Sequence, residues 1–376
     1  MAMVKYPFNG NLNPNEIFSS IYNMIISQDF LKIALADNYA LVDKFKVDGT
    51  LYGDTKLYYD HDILTSRPWL NDAEASNLLN INRPDDPVCQ AITLDQFRQI
   101  DITVDQYLSK RAWSTENAFA QFTGSILGMI GKTKRLYEVT MFNSYVGTTE
   151  GESTGSTVEI ALSDITETGE EKNRLEAQTI ANSLADLMVE MKDYSRDFND
   201  FGFMRAYSEG DLMFVVNSKW ANKITYIDLP TIFHKDGINK LTENILPARF
   251  FGVVCDSTMA EEGGPIAGNK VQATATVRSL VEKDVGNKHY FPGDKIDTNT
   301  TVGSSSASFL YAEAYVEKDD IICKIITPNT FKLMSAFEVG TEFFNPRSLT
   351  TNHYLTWGYS KPDRLKGQPL VTVYAD

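Results

Sequence analysis

The stretch Gln99–Phe119, QIDITVDQYLSKRAWSTENAF, sets two unlike periodicities back to back. Ile100, Ile102 and Val104 alternate strictly with Asp101, Thr103 and Asp105, which predicts a strand with one apolar and one wet face. Further on, Ser114 or Thr115 stands where a helix N-cap is wanted, with Glu116 and Asn117 in the first turn, near the positive end of the helix dipole. Phe119, Phe122, Ile126, Met129, Ile130, Tyr137 and Met141 then mark one face of a long helix, predicted over 114–145. Gly124, Gly128 and Gly131 lie inside it. Each costs ~1 kcal/mol against Ala in a helix interior, so close backbone packing or a bend is expected there. Gly147 reads as the stop signal, followed by a Gly, Ser, Thr and Glu loop to Thr157.

Upstream, Asn13 and Pro14 open a helical region over 14–44. Ile17, Ile21, Met24 and Ile25 form one apolar stripe, and Leu31, Leu35 and Tyr39 a second. This is an apolar-faced arm ahead of any domain. Phe45 and Val47 then precede the pair Asp48-Gly49, and Leu57 and Tyr59 alternate after it, a hairpin signal. With the strand at 100–104 as its return, 46–106 reads as a long two-stranded excursion, marginal alone in water. Tyr52, Tyr58, Tyr59 and Trp69 cluster in it. Two readings stay open: a partner surface, since aromatic residues dominate interface energetics, or burial against the chain's own core.

Downstream, Asn173 is a candidate cap for a helix over 173–194 with Ala177, Ile180, Ala181, Leu184, Leu187, Met188 and Met191 on one face. DLMFVV (211–216) reads as a short buried strand, followed by a turn and helix in NSKWANKI (217–224). Residues 257–306 are polar and loop-rich, with a strand expected within 271–281, and behave as an insertion. The tail from Ile321 to Tyr374 is strand-rich, with IICKII, EFF and VTVY.

Thirty-five Lys and Arg against 50 Asp and Glu give a net charge of -15, which argues against a protein that coats nucleic acid. The composition, 43% hydrophobic and 23% charged, is that of a globular chain. Cys89, Cys255 and Cys323 are odd in number and carry no CxxC, so neither a disulfide framework nor a Cys-based zinc site is expected, and a reducing compartment is. No signal peptide and no run of about 18 apolar residues is visible, so no membrane partner is expected.

Motifs of chemistry are weak. Gly131-Lys132-Thr133 would complete a phosphate loop only with a Gly where Ile126 stands, and the pattern around it is helical. Asp60-His61-Asp62 cannot all face one ion in a strand, because alternate side chains point oppositely, and a solvated turn is expected. His61, His234, His289 and His353 are isolated in sequence. Neither the three thiols nor the pairs Glu261-Glu262 and Asp319-Asp320 have an activating context. No catalytic residue, metal or cofactor is expected.

Three stretches together resemble the major capsid proteins of tailed bacteriophages with the Hong Kong 97-type fold. Gln99–Phe119 is similar to the return strand of that family's extended loop feeding its spine helix. LYEVTMFNSYVGTTE (136–150) is similar to the end of the helix and its following loop. DLMFVVNSKWANKI (211–224) is similar to the axial-domain strand and Asn-Pro-x-x-Trp turn, with Asn217 and Trp220 matching and Ser218 in place of the Pro. The likeness spans residues 1–255 and the C-terminal tail.

The resemblance implies an α+β fold with an N-terminal arm (1–45), an extended loop (46–106), a peripheral domain (107–172 and 321–376) and an axial domain (173–320) with a variable insertion near 257–306. It implies a non-enzymatic shell protein of the virion, assembled in the host bacterial cytoplasm as pentamers and hexamers of itself around double-stranded DNA that it does not read. Partners would be a separate scaffold protein, a portal and decoration proteins. The arm residues Ile17 and Ile21 and the loop aromatics would contact neighbouring subunits. Some family members cross-link a loop Lys to an Asn of another subunit, and Lys56 lies in the matching region. The alternatives are a cellular shell of the encapsulin type and a soluble cytoplasmic enzyme.

Overall fold

The structure is a computed structural model. It describes residues 41–49, 54–66, 68–69, 81, 83–105, 116–225, 244–303 and 308–376. In chain order, its first elements are β1 (Lys46–Asp48), β2 (Thr55–Asp60), β3 (Val88–Thr93), β4 (Gln96–Asp105), α1 (Glu116–Thr148), β5 (Thr157–Ile160), α2 (Glu170–Lys192), β6 (Met213–Asn217) and α3 (Ser218–Thr225). There follow β7 (Ile245–Leu246), β8 (Gly252–Val254), β9 (Val277–Ser279), β10 (Ala314–Glu317), β11 (Ile321–Ile326), β12 (Phe331–Asn345), β13 (Thr350–Tyr359) and β14 (Leu370–Ala375). Several shorter ladders lie between β8 and β10. The chain divides into two compact units.

The first unit holds the described parts of 96–136 and 336–359. The alternation read at 100–104 is real: β4 lies antiparallel to β13, with Asp105 opposite Thr350 and Gln96 opposite Tyr359. β12 flanks β13 on its other side. Polar cross-strand pairs support the wet face, with Thr103 donating to Asn352 at 2.8 Å and Gln99 to Thr356 at 3.0 Å. On the same face Phe97 stacks on Phe337 with centroids 5.7 Å apart. Lys134 of α1 forms an ion pair with Glu338 and sits 6.0 Å from the Trp357 ring.

The second unit holds the described parts of 39–95, 137–335 and 360–376. Its centre is a five-stranded mixed sheet in the order β5-β14-β11-β6-β7. IICKII is the middle strand, and all six residues are buried, Lys324 among them, as in a strand covered on both faces. The stripe of α2, Ile180, Leu184, Leu187, Met188 and Met191, packs on Ile322, Ile325, Phe214, Val216, Val371 and Val373. Helix α2 begins at Glu170, a turn earlier than expected, after Gly169 at φ 73°. The C-terminal part of α1 meets an aromatic cluster in which Phe142 lies 5.3 Å from Phe45 and 6.3 Å from Phe331, with Tyr145 5.7 Å from Phe331.

The polar stretch 257–306 is built around buried side chains. Ile266, Val271, Val277, Tyr290, Ile296 and Val302 bury a small core of their own together with Cys255, Phe309 and Ala314. Its strands are short: β9 pairs with β10, and the strand expected within 271–281 is two pieces, Lys270–Val271 and Val277–Ser279.

Three expectations are corrected. Asp48-Gly49 does not turn a hairpin into β2. β1 runs parallel to β12, with Lys46 opposite Leu333, and Gly49 N–H donates to Ser335 O at 2.7 Å. A Cβ on Gly49 would lie 2.8 Å from Met334 Cγ, so this glycine serves close approach, while burial of Phe45 in the aromatic cluster fixes the strand. Nor is 46–106 one excursion. The partner of β2 is β3, with Thr55 opposite Thr93 and Asp60 opposite Val88, whereas the ten residues of β4 match the ten of β13. Finally, α1 runs through Gly147 to Thr148, and no described residue lies within 4 Å of a Cβ built on Gly124, Gly128 or Gly131, so among the described residues they have no close packing neighbour. Gly131-Lys132-Thr133 lies inside this helix, with Thr133 Oγ1 donating to Met129 O at 2.8 Å.

Candidate assembly surfaces

The β2–β3 hairpin is held to its own unit by polar anchors on one side and presents apolar side chains on the other. In β2, Lys56, Tyr58 and Asp60 face inward and are half-buried, while Thr55, Leu57 and Tyr59 face out. Lys56 Nζ donates to Asp48 O at 2.6 Å. Asp60 pairs with Arg205, and Asp62 Oδ2 lies 2.5 Å from Arg196. The N–H of Met204 and the Arg196 guanidinium together hold the Asp62 carboxyl down to about 2. The two aspartates flanking His61 are thus arginine anchors, not a solvated turn and not metal ligands. Among the described residues no group of His, Cys, Asp and Glu could hold a metal ion.

On β3, Gln90 imitates a strand. Its Nε2 donates to Arg364 O at 3.2 Å and its Oε1 accepts from Lys366 N–H at 2.8 Å. Arg364 in turn pairs with Asp200 at 2.9 Å, both side chains almost fully buried, and Asp200 Oδ1 also accepts the N–H groups of Glu152 and Ser153 at 2.9 and 3.2 Å. Between hairpin and body lies a cavity of about 340 Å³ lined by Tyr58, Gln90, Phe201, Asn329, Lys332 and Gln368. Burial lowers the Lys332 pKa, and its amine donates to Asn329 Oδ1 at 2.9 Å.

The sequence-predicted residues therefore separate. Ile17, Ile21 and Tyr52 lie outside the described residues. Tyr58 is turned inward, and burial raises its pKa. Tyr59 and Trp69 stand 65% and 88% exposed, and Leu57, Ile63, Leu64 and Ile81 are exposed beside them in sequence. Large apolar side chains exposed in such number are uncommon on a soluble monomer. Asn217 and Trp220 form an internal clamp. Buried Asn217 donates to Ile321 O at 2.9 Å and accepts Lys219 N–H at 3.0 Å, which caps α3. Trp220 Nε1 donates to Asp319 O at 2.8 Å, with Lys223 4.4 Å over its ring. Ser218, in the place of the family's Pro, accepts Ala248 N–H at 3.1 Å.

One buried group was missed in the sequence. Lys324 of β11 is wholly buried and donates to Thr149 O at 2.6 Å. Burial pulls its pKa down to about 7, against the opposing pull of Glu150 and reinforced by Arg364. Between pH 7 and the ordinary 10.5 the unfolded chain holds a proton that the folded one lacks, so this group makes stability rise with pH there, and flat below. Lys324→Met is expected to remove that slope. Melting temperatures from pH 7 to about 8.5, below the ordinary thiol range, test this. Parallel curves for the two proteins would refute it.

The profile of the family described as Phi29-like phage major capsid protein matches residues 9–360. None of the curated proteins matches the chain. Among solved structures it is similar to a chain of the capsid structure of Staphylococcus phage Andhra, with TM-score 0.61 and 12% identity over 94% of this chain and 88% of that one. It is also similar to a chain in the structure of the head fiber and inner core protein gp22 of native bacteriophage P68, with TM-score 0.56 and 10% identity over 93% and 88%. At such identities the structural likeness carries the fold alone, and it is the profile, spanning the hairpin, the spine helix and the Asn217–Trp220 clamp alike, that carries the family: the chain belongs to the Phi29-like phage major capsid proteins, with a Hong Kong 97-type α+β fold.

Proposed function

We propose that this major capsid protein builds its phage head from pentamers and hexamers around double-stranded DNA, with the exposed hairpin surface as a principal contact between subunits. That the protein is a component of a self-assembling shell in the virion follows from its family. The observation that carries the finer reading is the hairpin itself, clamped to its unit through Asp60 and Asp62 at its loop end and Gln90 on β3, while Tyr59 and Trp69 face water. A ribbon held in place with apolar side chains in water is a pre-organised docking element. In this reading Ile17, Ile21 and Tyr52 add to the contact, and 107–172 with 321–376, and 173–320, act as peripheral and axial domains. Asn217 and Trp220 hold the axial turn in shape. Assembly takes place in the host cytoplasm with a separate scaffold, a portal and decoration proteins. The net charge of -15 suits a wall that does not bind the genome by sequence. The family assignment disfavours the enzyme and cellular-compartment alternatives.

Negative-stain microscopy tests the proposal. Wild-type protein is expected to give closed shells or capsomers. Tyr59→Ser with Trp69→Ser is expected to leave circular dichroism and melting unchanged and to cut particle yield at least about tenfold, the effect of losing roughly 1.4 kcal/mol per contact. A double variant that assembles like wild type would remove the hairpin from the interface.

A further inference from the structure

The long strand β12 outruns its neighbour on one edge. β1 ends at Asp48 opposite Ser335, whereas β12 continues to Asn345. Among the described strands none pairs with that edge beyond Ser335. Leu333 N–H donates to Phe45 O at 3.2 Å, and Ser335 O accepts from Gly49 N–H at 2.7 Å, so odd-numbered residues aim their backbone groups at this edge. By the two-residue period, Phe337, Val339, Thr341, Phe343 and Asn345 offer a row of N–H and C=O groups there. Residues 337–344 are all exposed, and Phe337, Val339 and Phe343 share one face. The segment from Phe337 to Asn345 carries neither Lys nor Pro, the residues that usually protect an edge, and Pro346 closes it.

We propose that this edge pairs antiparallel with the same edge of a second copy, across a two-fold axis normal to the sheet through Thr341. The occupant follows from the segment's own charges and register. A two-fold axis centred on Gly340 would set Glu338 opposite Glu342 twice, and one centred on Glu342 would set that residue opposite itself. One centred on Val339 would oppose Phe343 to Ser335, whose edge β1 already occupies. Centred on Thr341, Val339 lies opposite Phe343 twice, Phe337 opposite Asn345 twice, Glu342 opposite Gly340, and no carboxylate faces another. Glu338, opposite Phe344, is already neutralised by Lys134. All five outward-facing residues then find partners, and the contact closes on itself as an isologous interface. This rests on the shell reading, to which it adds one named contact between copies.

The test is disulfide trapping in full-length protein carrying Cys89→Ser, since Cys89 is the exposed thiol and Cys255 and Cys323 are buried. A hydrogen-bonded antiparallel pair holds its Cα atoms about 5.5 Å apart, within disulfide reach. Thr341→Cys is expected to give a covalent dimer under mild oxidant in assembled particles, with the 341-to-341 peptide identified by mass spectrometry. A mixture of Val339→Cys and Phe343→Cys proteins should link only across the two, and Glu342→Cys should stay monomeric on the gel. Normal particles without the Thr341→Cys dimer, or linkage of that thiol to another protein, would overturn the pairing while leaving the shell intact. A parent protein that forms no particles would count against the shell. The pairing is then read on the soluble protein at high concentration, where absence of the dimer overturns it as well.

Discussion

Gly147→Ala is expected to leave almost no soluble, folded subunit. A Cβ at this position would lie 2.0 Å from Phe250 O, 2.7 Å from Phe250 C and 3.3 Å from Phe251 N. All three are backbone atoms, so no side chain can rotate out of the way. Phe250 and Phe251 are buried, the first ending the short turn Ala248–Phe250 and the second following it, so relief requires α1 to move off that segment and its own cluster of Phe45, Phe142 and Phe331 to loosen. Overpacking a well-filled core costs ~1–3 kcal/mol, and more when backbone must shift. Against a total stability of about 5–15 kcal/mol, such a loss is decisive. The control is Gly128→Ala on the same helix, where no described residue lies within 4 Å of the added Cβ. It is expected to stabilise by up to ~1 kcal/mol through helix propensity alone. Urea midpoints measure both. Two glycines that respond alike would show that close approach is not what Gly147 serves.

Asp200→Ala is the second large effect. It strips buried Arg364 of its carboxylate and leaves the N–H groups of Glu152 and Ser153 without their acceptor. Removing one partner of a buried pair costs ~3–5 kcal/mol, mostly because the other charge stays behind. Arg364 also carries the carbonyl that receives Gln90, so the β2–β3 hairpin is expected to loosen with it, visible as faster amide exchange in β3. Adding Arg364→Met to Asp200→Ala should restore part of the loss, because no charge is then left buried. A double variant no more stable than the single one would place the damage in the backbone acceptors instead of the ion pair.

These two sites also show where the sequence was readable. Elements with a clean local period were legible. The alternation at 100–104 is β4, IICKII is the buried central strand, and the stripe from Ala177 to Met191 is the buried face of α2. The Hong Kong 97-type fold was legible through the resemblance carried by 99–119, 136–150 and 211–224. Partnerships between distant residues were not legible. Gly147 reads locally as a helix stop, and the carbonyl that makes it necessary comes from Phe250, far along the chain. Asp48-Gly49 has the composition of a turn, yet tertiary packing of Phe45 turns the strand toward β12. Asp60 and Asp62 look like solvated acids until Arg205 and Arg196 are brought against them. Gln90 and Lys324 carry no local signal at all. Their roles arise from what the fold stacks beside them.

The position of β14 has a consequence for biosynthesis. This strand, made from residues 370–375, lies between β5 and β11 and is bonded to both. Until it is in place, β5 has no neighbour among the described strands and the sheet is open between β5 and β11. The strands made ahead of residues 370–375 therefore cannot close this sheet by themselves, and entry of a subunit into a lattice waits for that last strand to be laid in place.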